Sequence, residues 1–397
     1  MVQRLAGSTK SFPFQPDKVG LLIAALISYA ALALPFATLR ANRIVQGESI
    51  SLVNSMPGLA VTCLSVVLAA CVAIAFFRTD ARLRLLAALV GLSTLAYLIG
   101  LAATHLTPDG NSYARVSPAS GFWLLLAGLI VMATDAIARL KPKPVTRVIL
   151  LVLVLLVTGI VLASGRWDDL SIIKEYGSRR DIFWTEAIRH LQLAFGSLLA
   201  AVAVGLPLGV LCYKINRLRA FVLNSLNIVQ TIPSIALFGL LIAPLGWMAA
   251  NIPGASEIGI RGIGMAPAFV ALFLYSLLPI VSNTVVGLDG VSGSVREAAR
   301  GLGMTAAQRL LKIDFPLALP IILTGIRIVL VQNIGLATIA ALIGGGGFGV
   351  FVFQGIGQTA MDLVLLGTLP TVILGFTAAI LLDALIDSLF LKRGRST

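Results

Sequence analysis

The sequence predicts an all-α, polytopic membrane protein with about ten transmembrane helices. The first reason is composition, since 58% of the 397 residues are hydrophobic, only 12% are charged and the mean hydropathy is +0.98. A chain this apolar cannot hide its surface in one soluble core, so its solvent must be a bilayer. The second reason is that the apolar residues fall in long runs of about 20, the length that a helix needs to cross the hydrocarbon.

Ten such runs occur along the chain. They lie near Val19–Leu39, Met56–Phe77, Leu83–Thr104, Gly121–Ala138, Val145–Ala163, Ile188–Leu211, Phe221–Ala243, Ile263–Gly287, Ile321–Ile343 and Val364–Phe390. We expect the first run to be an uncleaved span, because its apolar stretch is longer than the roughly 7–15 residues of a signal peptide core.

The distribution of Lys and Arg predicts which side of the membrane each loop faces. With the N-terminus inside, internal segments carry 20 of the 30 Lys and Arg residues and external segments carry 8. Cytoplasmic loops are enriched in these residues, so both termini are predicted to be cytoplasmic. The formal net charge of +13 is spread over short loops. That pattern favours topology determinants over a nucleic-acid surface.

The pattern of apolar runs and charged residues divides the chain into three parts. Residues 1–164 form a five-span membrane region, residues 165–187 an external connecting segment with charges of both signs, and residues 188–397 a second membrane region. Several spans of the second region contain or adjoin proline, which membrane helices tolerate where neighbours or a cavity satisfy the freed carbonyls. Kinks of this kind are typical both of a moving pathway and of ordinary packing.

The motifs of enzymes and metal sites are missing or out of context. No Lys follows a Gly, so the nucleotide-binding sequence G-x-x-x-x-G-K-[ST] cannot occur. Gly344, Gly346 and Gly349 match G-x-G-x-x-G, but they follow a membrane span instead of a strand, so we expect a flexible or tightly packed re-entrant segment. His105 and His190 have no metal-ligand pattern around them. The sequence therefore predicts no enzyme and no cofactor or metal in this chain.

Charges within spans are costly in lipid and are functional candidates. Arg327 lies early in the ninth span, and Asp383 and Asp387 lie one turn apart in the tenth. Their position favours a structural or interfacial role. A proton relay is the alternative, and it would indicate a secondary transporter driven by an ion gradient.

The most polar passage of the second half is a predicted cytoplasmic loop, residues 288–320. Ser294 with Glu297, and Thr305 with Gln308, each have the spacing of a capping box, which predicts two short helices. Gly301 and Gly303 are expected to end the first helix, and Pro316 to stop the second. Such a helix–turn–helix is either a docking surface for a partner or an ordinary solvated loop.

The passage "EAARGLGMTAAQRLLKIDFP" resembles the signature loop of permease subunits of binding-protein-dependent ABC importers. The matching residues are Glu297, Ala298, Ala299, Gly303, Ile313 and Pro316. Phe315 departs from the pattern, which has Leu there. The resemblance implies that residues 188–397 are a five-helix permease core and that the first short helix couples to a cytoplasmic ATPase. It also implies a second permease subunit, an external substrate-binding protein and a bacterial inner-membrane location, with ATP and Mg in the ATPase.

Two further passages are similar to permeases that import glycine betaine, choline or carnitine. They are "NIVQTIPSIALFGLLI" from Asn227 and "IGGGGFGVFVFQGIG" from Ile343. The added first five spans are similar to the longer permeases of one osmoprotectant branch. The resemblance therefore implies import of a quaternary ammonium osmoprotectant by alternating access. Import of an amino acid such as methionine stays open, as do a secondary transporter and a membrane-embedded sensor or scaffold.

Polar residues in or beside the second region's spans are candidates for a translocation path. They are Gln230, Thr231, Ser234, Asn283, Gln332 and Asn333. Interhelical hydrogen bonding is an equally good explanation for each of them.

Overall fold

A computed structural model describes residues 17–42, 45–108, 110–111 and 113–391. Within those ranges, nine helices are long and apolar enough to cross a membrane, and the apolar helix Lys18–Ala33 is shorter. The prediction of an all-α polytopic membrane protein is confirmed. The two terminal segments that were predicted to be cytoplasmic lie almost wholly outside the described residues.

The chain separates into two compact units. The N-terminal unit comprises Met1–Lys143 and Val152–Lys174, and the C-terminal unit comprises Pro144–Leu151 and Glu175–Thr397. The elements that belong to the first unit are α1 (Lys18–Ala33), β1 (Pro35–Arg40), β2 (Glu48–Ser51), α2 (Gly58–Phe76), α3 (Ala81–Leu106), β3 (Arg115–Pro118) and α4 (Ser120–Leu140). Two helices, α5 (Pro144–Ala163) and α6 (Ser171–Ser178), contain residues of both units.

In the N-terminal unit, α1 to α4 pack as a ring in which each helix contacts the next and α4 returns to α1. Their buried core includes Ile27, Leu64, Leu95 and Leu125. The three strands form a small antiparallel sheet in the order β2-β1-β3. Gly20 permits the close approach of α1 to α2, because a Cβ there would lie 1.7 Å from the carbonyl oxygen of Ala75.

Four charged side chains join the ends of α1, α3 and α4. Asp17 precedes α1, and its carboxylate contacts Arg84 at 2.7 Å and Arg139 at 2.6 Å. Asp135 contacts the same two arginines at 2.8 and 2.9 Å. The Arg84 side chain is fully buried, so this closed set of two cations and two anions keeps it neutralised within the protein.

The C-terminal unit contains the remaining helices. They are α7 (Arg180–Lys214), α8 (Asn216–Thr231), α9 (Ser234–Asn251), α10 (Met265–Asp289), α11 (Gly293–Gly301), α12 (Ala306–Arg309), α13 (Phe315–Ala337), α14 (Gly349–Gly357) and α15 (Met361–Leu391). The central helix is α10, which packs against α7, α8, α9 and α13, while α15 packs on α13 and α14. Gly205 and Gly209 let α7 approach α10 closely, since a Cβ on them would press on Ile280 and Thr284. Small residues at helix contacts are typical of membrane bundles.

The structure corrects the bounds of two predicted spans. The predicted span Phe221–Ala243 is two helices, α8 and α9, which are separated at Ile232 and Pro233. Proline has no N–H for helical bonding and disfavours helical geometry in the residue before it, and Ile232 is accordingly extended. The first predicted span, Val19–Leu39, ends its helix at Ala33, because its last apolar residues form β1.

The glycine-rich segment after α13 is tightly packed. A 3-10 turn, Ile339–Ile343, leads into Gly344, Gly346 and Gly347, all with positive φ, and then into α14. Gly349 lies against the preceding turn, since a Cβ there would be 1.8 Å from the carbonyl oxygen of Thr338. The segment is thus a helix–turn–helix junction, and its G-x-G-x-x-G match has none of the βαβ context of a dinucleotide site.

Candidate functional site

The polar loop begins with α11, which follows α10 after a short turn. Its N-cap is Ser292, and no side-chain capping bond forms there. The predicted capping box of Ser294 and Glu297 is therefore wrong. The helix starts earlier than that spacing requires, and the Ser294 hydroxyl is 2.6 Å from the Ser292 hydroxyl.

The turn between the two short helices forms as predicted. α11 ends at Gly301, and Gly303 has a φ of 76°, a conformation that glycine adopts without a Cβ clash. The Met304 N–H donates to the Ala299 carbonyl at 3.1 Å and so closes the end of α11. The capping box of Thr305 and Gln308 is confirmed, with both of its hydrogen bonds present.

Beyond α12, the helix does not stop at Pro316 as predicted. A π-helical turn, Leu310–Asp314, joins α12 to α13, and Pro316 lies in the first turn of α13. Proline is tolerated at that position because the π-helical turn directly before it already interrupts the α-helical hydrogen-bond pattern. Ala306–Ala337 is consequently one continuous helix, and the loop connects directly to a membrane span.

A buried carboxylate, Asp314, holds the two halves of the loop together. Its side chain is only 3% exposed, and it accepts a hydrogen bond from Arg296 of α11 at 3.1 Å while Arg309 lies 3.8 Å away. Arg296 also donates to the Leu288 carbonyl, and its guanidinium lies 5.5 Å from the centre of the Tyr213 ring. The sequence motifs did not single out Asp314, and its one local signal is that it is an acidic residue close to Arg309 and Lys312.

Because of this brace, α11 presents one face to the rest of the loop and the other to solvent. Ala299 is 3% exposed and packs inward, whereas Glu297 and Ala298 are exposed. The loop also has exposed apolar side chains, including Leu302 at 83% and Leu311 at 69%. Of the other predicted coupling residues, Gly303 is exposed, and Ile313 and Pro316 are half-buried. An exposed surface that combines apolar side chains with a carboxylate is suited to docking a protein partner.

Asn333, one of the predicted path residues, joins three spans. Its side-chain NH2 donates to the hydroxyls of Ser197 on α7 and Ser276 on α10, both at 2.9 Å. All three side chains are fully buried. This network satisfies polar groups that lipid cannot satisfy, and it connects α7, α10 and α13.

Three of the other five predicted path residues donate side-chain hydrogen bonds to backbone carbonyls. Gln230 donates to the Tyr275 carbonyl, so it links α8 to α10. Thr231 and Asn283 donate to carbonyls of their own helices. Ser234 begins α9 and Gln332 lies on α13, both half-buried. The six residues are thus spread over four helices, and Asn333 bonds only to hydroxyls outside the set.

The charges within the last spans are paired. Arg327 of α13 bonds to Asp383 of α15, and Arg147 in the first turn of α5 bonds to Asp387 at 2.9 Å. No group of three or more His, Cys, Asp or Glu in the described part of the chain could hold a metal ion. His190 instead accepts from the Phe348 backbone N–H at 3.4 Å, and Glu186 accepts from that of Gly347 at 2.6 Å. These two side chains hold the glycine-rich segment against α7.

Two family models match the chain. The model described as "ABC transporter permease YehY, N-terminal domain" matches residues 17–173. The model described as "Binding-protein-dependent transport system inner membrane component" matches residues 178–391, which is more than half of the chain and contains the whole loop.

Two named relatives each match about half of the chain. The osmoprotectant import permease protein OsmW of Salmonella typhimurium (strain LT2) is 44% identical over 201 residues, which are 51% of this chain and 86% of OsmW. The glycine betaine/carnitine/choline transport system permease protein OpuCB of Bacillus subtilis (strain 168) is 37% identical over 194 residues, or 49% and 80% of the two chains. A solved structure of the MetNI methionine ABC transporter in an inward-facing conformation has a TM-score of 0.46 at 23% identity, and the match covers 52% of this chain and 96% of that one.

Proposed function

Because this chain belongs to the family of binding-protein-dependent transport system inner membrane components, we propose that it is the permease subunit of an ATP-driven osmoprotectant importer. In this proposal it moves glycine betaine, choline or a related quaternary ammonium compound into the cytoplasm by alternating access. The single observation that carries its role in the complex is the exposed face of α11, which is braced by Asp314 and joined without interruption to a membrane span.

The exposed face of α11 docks on a cytoplasmic ATPase subunit. Glu297 and Ala298 form the centre of the contact, and Leu302 supplies apolar area beside them. Movement of α11 passes through Arg296 to Asp314, which lies on the same continuous helix as α13. Closure of the ATPases on nucleotide thereby biases the spans between two states, because the contact changes with the state of the ATPase.

The relatives support the substrate class. OsmW is named for osmoprotectant import, and OpuCB for glycine betaine, carnitine and choline transport. All three named compounds carry a quaternary ammonium group, which proteins bind through aromatic faces. Aromatic residues are only 7% of this chain, so we place most of the selectivity in the external binding protein.

The proposed complex contains two permease subunits, two ATPases and one external substrate-binding protein. ATP hydrolysis with its Mg ion belongs to the ATPases, since the chain has no Walker A sequence. The distribution of Lys and Arg supports cytoplasmic termini and a bacterial inner-membrane location. That topology places α11 on the same side as the ATPases.

The translocation path, in this proposal, runs between α8, α9, α10 and α13. Gln230, Ser234, Asn283 and Gln332 are half-buried residues on these helices, and we assign them to the path together with Thr231. Asn333 is assigned to the wall behind it, because its amide is bonded to Ser197 and Ser276. Half-buried polar groups are suited to a transient hydrated pathway, whereas a fully buried, satisfied network is suited to holding helices together.

The decisive experiment is uptake of radiolabelled glycine betaine and choline by cells that express the chain with its neighbouring ATPase and binding protein. We compare Glu297→Arg with the matched control Glu257→Arg, a charge reversal at an exposed residue outside the loop. We expect the first variant to abolish uptake and the second to retain it. If the cells take up methionine and neither glycine betaine nor choline, the proposed substrate class is wrong but the proposal of an ATP-driven importer stands. Normal uptake by Glu297→Arg would refute the docking role of α11.

A further inference from the structure

The break between α8 and α9 lies beside the middle of a membrane span. α8 ends at Thr231 and α9 begins at Ser234, and the two residues between them are extended, with ψ of 126° at Ile232 and 139° at Pro233. The break contacts Tyr275, which is close to the midpoint of α10. In a bilayer, a carbonyl that a broken helix frees must find a partner within the protein or in a water-filled cavity.

Tyr275 provides two hydrogen bonds to this break. Its side-chain hydroxyl donates to the Ile232 carbonyl, and its backbone carbonyl accepts from the Gln230 side-chain NH2 at 2.8 Å. The first bond is at the break and the second is just before it, in the last turn of α8. One buried residue of α10 thus fixes the position at which α8 ends and α9 begins.

The ring of Tyr275 is held by apolar packing. Leu237 and Phe238 of α9 and Ala271 of α10 are buried in the same cluster, and Ile339 of the 3-10 turn after α13 packs against it. A buried tyrosine combines an apolar ring with one polar group that needs a partner. Loss of the hydroxyl alone would therefore remove the bond to the break and leave this packing in place.

The break is suited to act as a hinge. Pro233 has no N–H, and the Ile232 N–H donates three residues back to the Val229 carbonyl, so the α-helical pattern stops there. Residues at the ends of helices absorb the backbone rotation of hinge movements. The half-buried side chains of Gln230 and Ser234 lie on either side of the break, and both belong to the proposed translocation path. A change of angle at the break would therefore change the shape of that path.

We propose that Tyr275 is a positioning residue of the transport cycle and that its hydroxyl latches the hinge between α8 and α9. In one state of the cycle, the bond from Tyr275 to the Ile232 carbonyl holds the hinge in the conformation described above. In the other state the carbonyl is released to the hydrated path, where water takes the place of the hydroxyl. This inference rests on the proposed function and adds to it a contact that the two states exchange.

The test measures how fast a cysteine beside the break reacts with a charged thiol reagent. Ser234→Cys places this reporter at the start of α9, and Cys63→Ser removes the exposed native thiol, while Cys71 and Cys212 are buried. The chain is purified with its ATPase and reconstituted in nanodiscs, so that reagent and nucleotide reach both faces. Labelling is followed by the mass of the chain, with and without a non-hydrolysable ATP analogue.

We expect the reporter in the parent chain to label several-fold more slowly in one nucleotide condition than in the other, because the two conditions favour different states. Tyr275→Phe removes only the hydroxyl and should label at the faster rate in both conditions. Thr284→Val is the matched control, since it removes a buried hydroxyl of α10 that bonds to the Ile280 carbonyl of the same helix. It should label like the parent chain.

A thermal unfolding scan verifies that each variant is folded. If Tyr275 were merely structural, Tyr275→Phe would lower the unfolding temperature and keep the nucleotide dependence of labelling. Gln230→Met removes the second bond but keeps the hydroxyl, so its nucleotide dependence should be reduced and not lost. If Tyr275→Phe does not fold, a parent-like nucleotide dependence in Gln230→Met overturns the proposal.

The proposal is also overturned if folded Tyr275→Phe keeps the parent difference, if Thr284→Val loses it equally, or if the parent chain shows no difference. ATP-dependent uptake of glycine betaine and choline is measured separately, so that the two proposals can fail independently. Normal uptake with parent-like labelling of Tyr275→Phe would refute the latch alone. Loss of the labelling difference in Tyr275→Phe, without uptake of either compound by the parent chain, would refute the substrate class and support the latch.

Discussion

Asp314 accepts a hydrogen bond from Arg296 of α11 at 3.1 Å. It is the last residue of the π-helical turn Leu310–Asp314, which joins α12 to α13. The two residues are 18 positions apart, and their contact fixes how α11 lies on the helix that continues into α13. A carboxylate that is 3% exposed needs such a partner, because an unpaired buried charge is strongly unfavourable. The Arg296–Asp314 contact thus holds α11 in a fixed position on the continuous helix Ala306–Ala337.

We predict that Asp314→Asn weakens the attachment of α11 to the helix Ala306–Ala337. The amide keeps the shape of the side chain but leaves Arg296 and Arg309 without a counter-charge, at a local cost of about 1–3 kcal/mol for partly exposed arginines. Hydrogen exchange of the α11 amides should quicken, and uptake per ATP hydrolysed should fall. Glu257→Gln is the matched control and should change neither quantity. Unchanged exchange in α11 would show that the contact does not hold the loop.

The second prediction concerns Gly301 and Gly303, the two glycines at the turn between α11 and α12. Gly303→Ala should cost about 1–2 kcal/mol, because its φ of 76° is strained for a residue with a Cβ. No atom lies within 4 Å of the position of that Cβ, so the effect is one of backbone alone. Gly301→Ala is the control, since it is equally open and is helical.

The measurement is the amount of ATPase that copurifies with each variant. We expect several-fold less with Gly303→Ala and no loss with Gly301→Ala. Equal loss in both would point to the helix surface instead of the turn, and no loss in either would contradict the importance of the turn conformation.

Hydropathy and short-range signals predicted a large part of this structure. Nine apolar helices and the shorter Lys18–Ala33 correspond to the ten predicted spans, because the bilayer imposes length and apolarity on each helix alone. The resemblance carried by Glu297 to Pro316 is confirmed by the family match over residues 178–391. The capping box of Thr305 and Gln308 was also predictable, since both of its partners are three residues apart.

What the sequence did not predict depends on partners distant along the chain. Phe36 and Ala37 read as the end of an apolar span, and only their pairing with β2 and β3 makes them part of a strand. Hydrophobicity alone does not distinguish a short buried strand from a helix end. Asp314 likewise gains its role from Arg296 on another helix. The spacing of Ser294 and Glu297 failed because the turn after α10 let the helix begin sooner.

The charge cluster of the N-terminal unit predicts how its stability depends on pH. Burial alone would raise the pKa of the Asp17 carboxyl, but the hydrogen bond from Arg139 and the charge of Arg84 outweigh burial and hold the pKa below its ordinary value. A carboxyl with a depressed folded pKa stabilises the fold at pH values above its unfolded pKa, near 4, and that stability is lost as the pH falls through the lower folded pKa. The unit should therefore lose stability below about pH 4.

The check is thermal unfolding in detergent between pH 7 and pH 3. Asp17→Asn should lower the unfolding temperature at pH 7 and flatten its pH dependence. Asp80→Asn is the control, because Asp80 precedes α3 without a side-chain capping bond. The assignment to Asp17 would be wrong if both variants kept the acid dependence of the parent chain.

Asn333 and Gln332 are neighbours on α13 that we expect to respond differently. Asn333→Ala removes the hydrogen bonds that join α13 to Ser197 of α7 and Ser276 of α10, at about 1–2 kcal/mol. The two serine hydroxyls keep their bonds to carbonyls of their own helices, so only the link between the helices is lost. It should lower the unfolding temperature of the chain. Gln332→Ala, half-buried on the proposed path, should leave the unfolding temperature unchanged and alter uptake. The opposite pattern would exchange the roles that we assign to the two residues.

Arg327 of α13 is paired with Asp383 of α15. The last prediction tests whether this pair is a structural ion pair or part of a proton relay. If the pair is structural, Asp383→Asn leaves Arg327 unpaired within a span and destabilises the chain, and the double variant Asp383→Asn/Arg327→Gln recovers most of that loss because no lone charge remains. If Asp383 carries protons, both variants lose uptake together, and uptake in the parent chain follows an imposed pH gradient. We expect recovery in the double variant and no response to the gradient in vesicles supplied with ATP. Asp387→Asn is the matched comparison, because its partner Arg147 is as exposed as Arg327, at 35% against 34%, but lies in the first turn of α5, whereas Arg327 lies in the middle of α13. A cation near a helix end can reach the interface, so Asp387→Asn should cost less than Asp383→Asn. An equal cost would indicate that the position of the arginine along its helix does not govern the penalty.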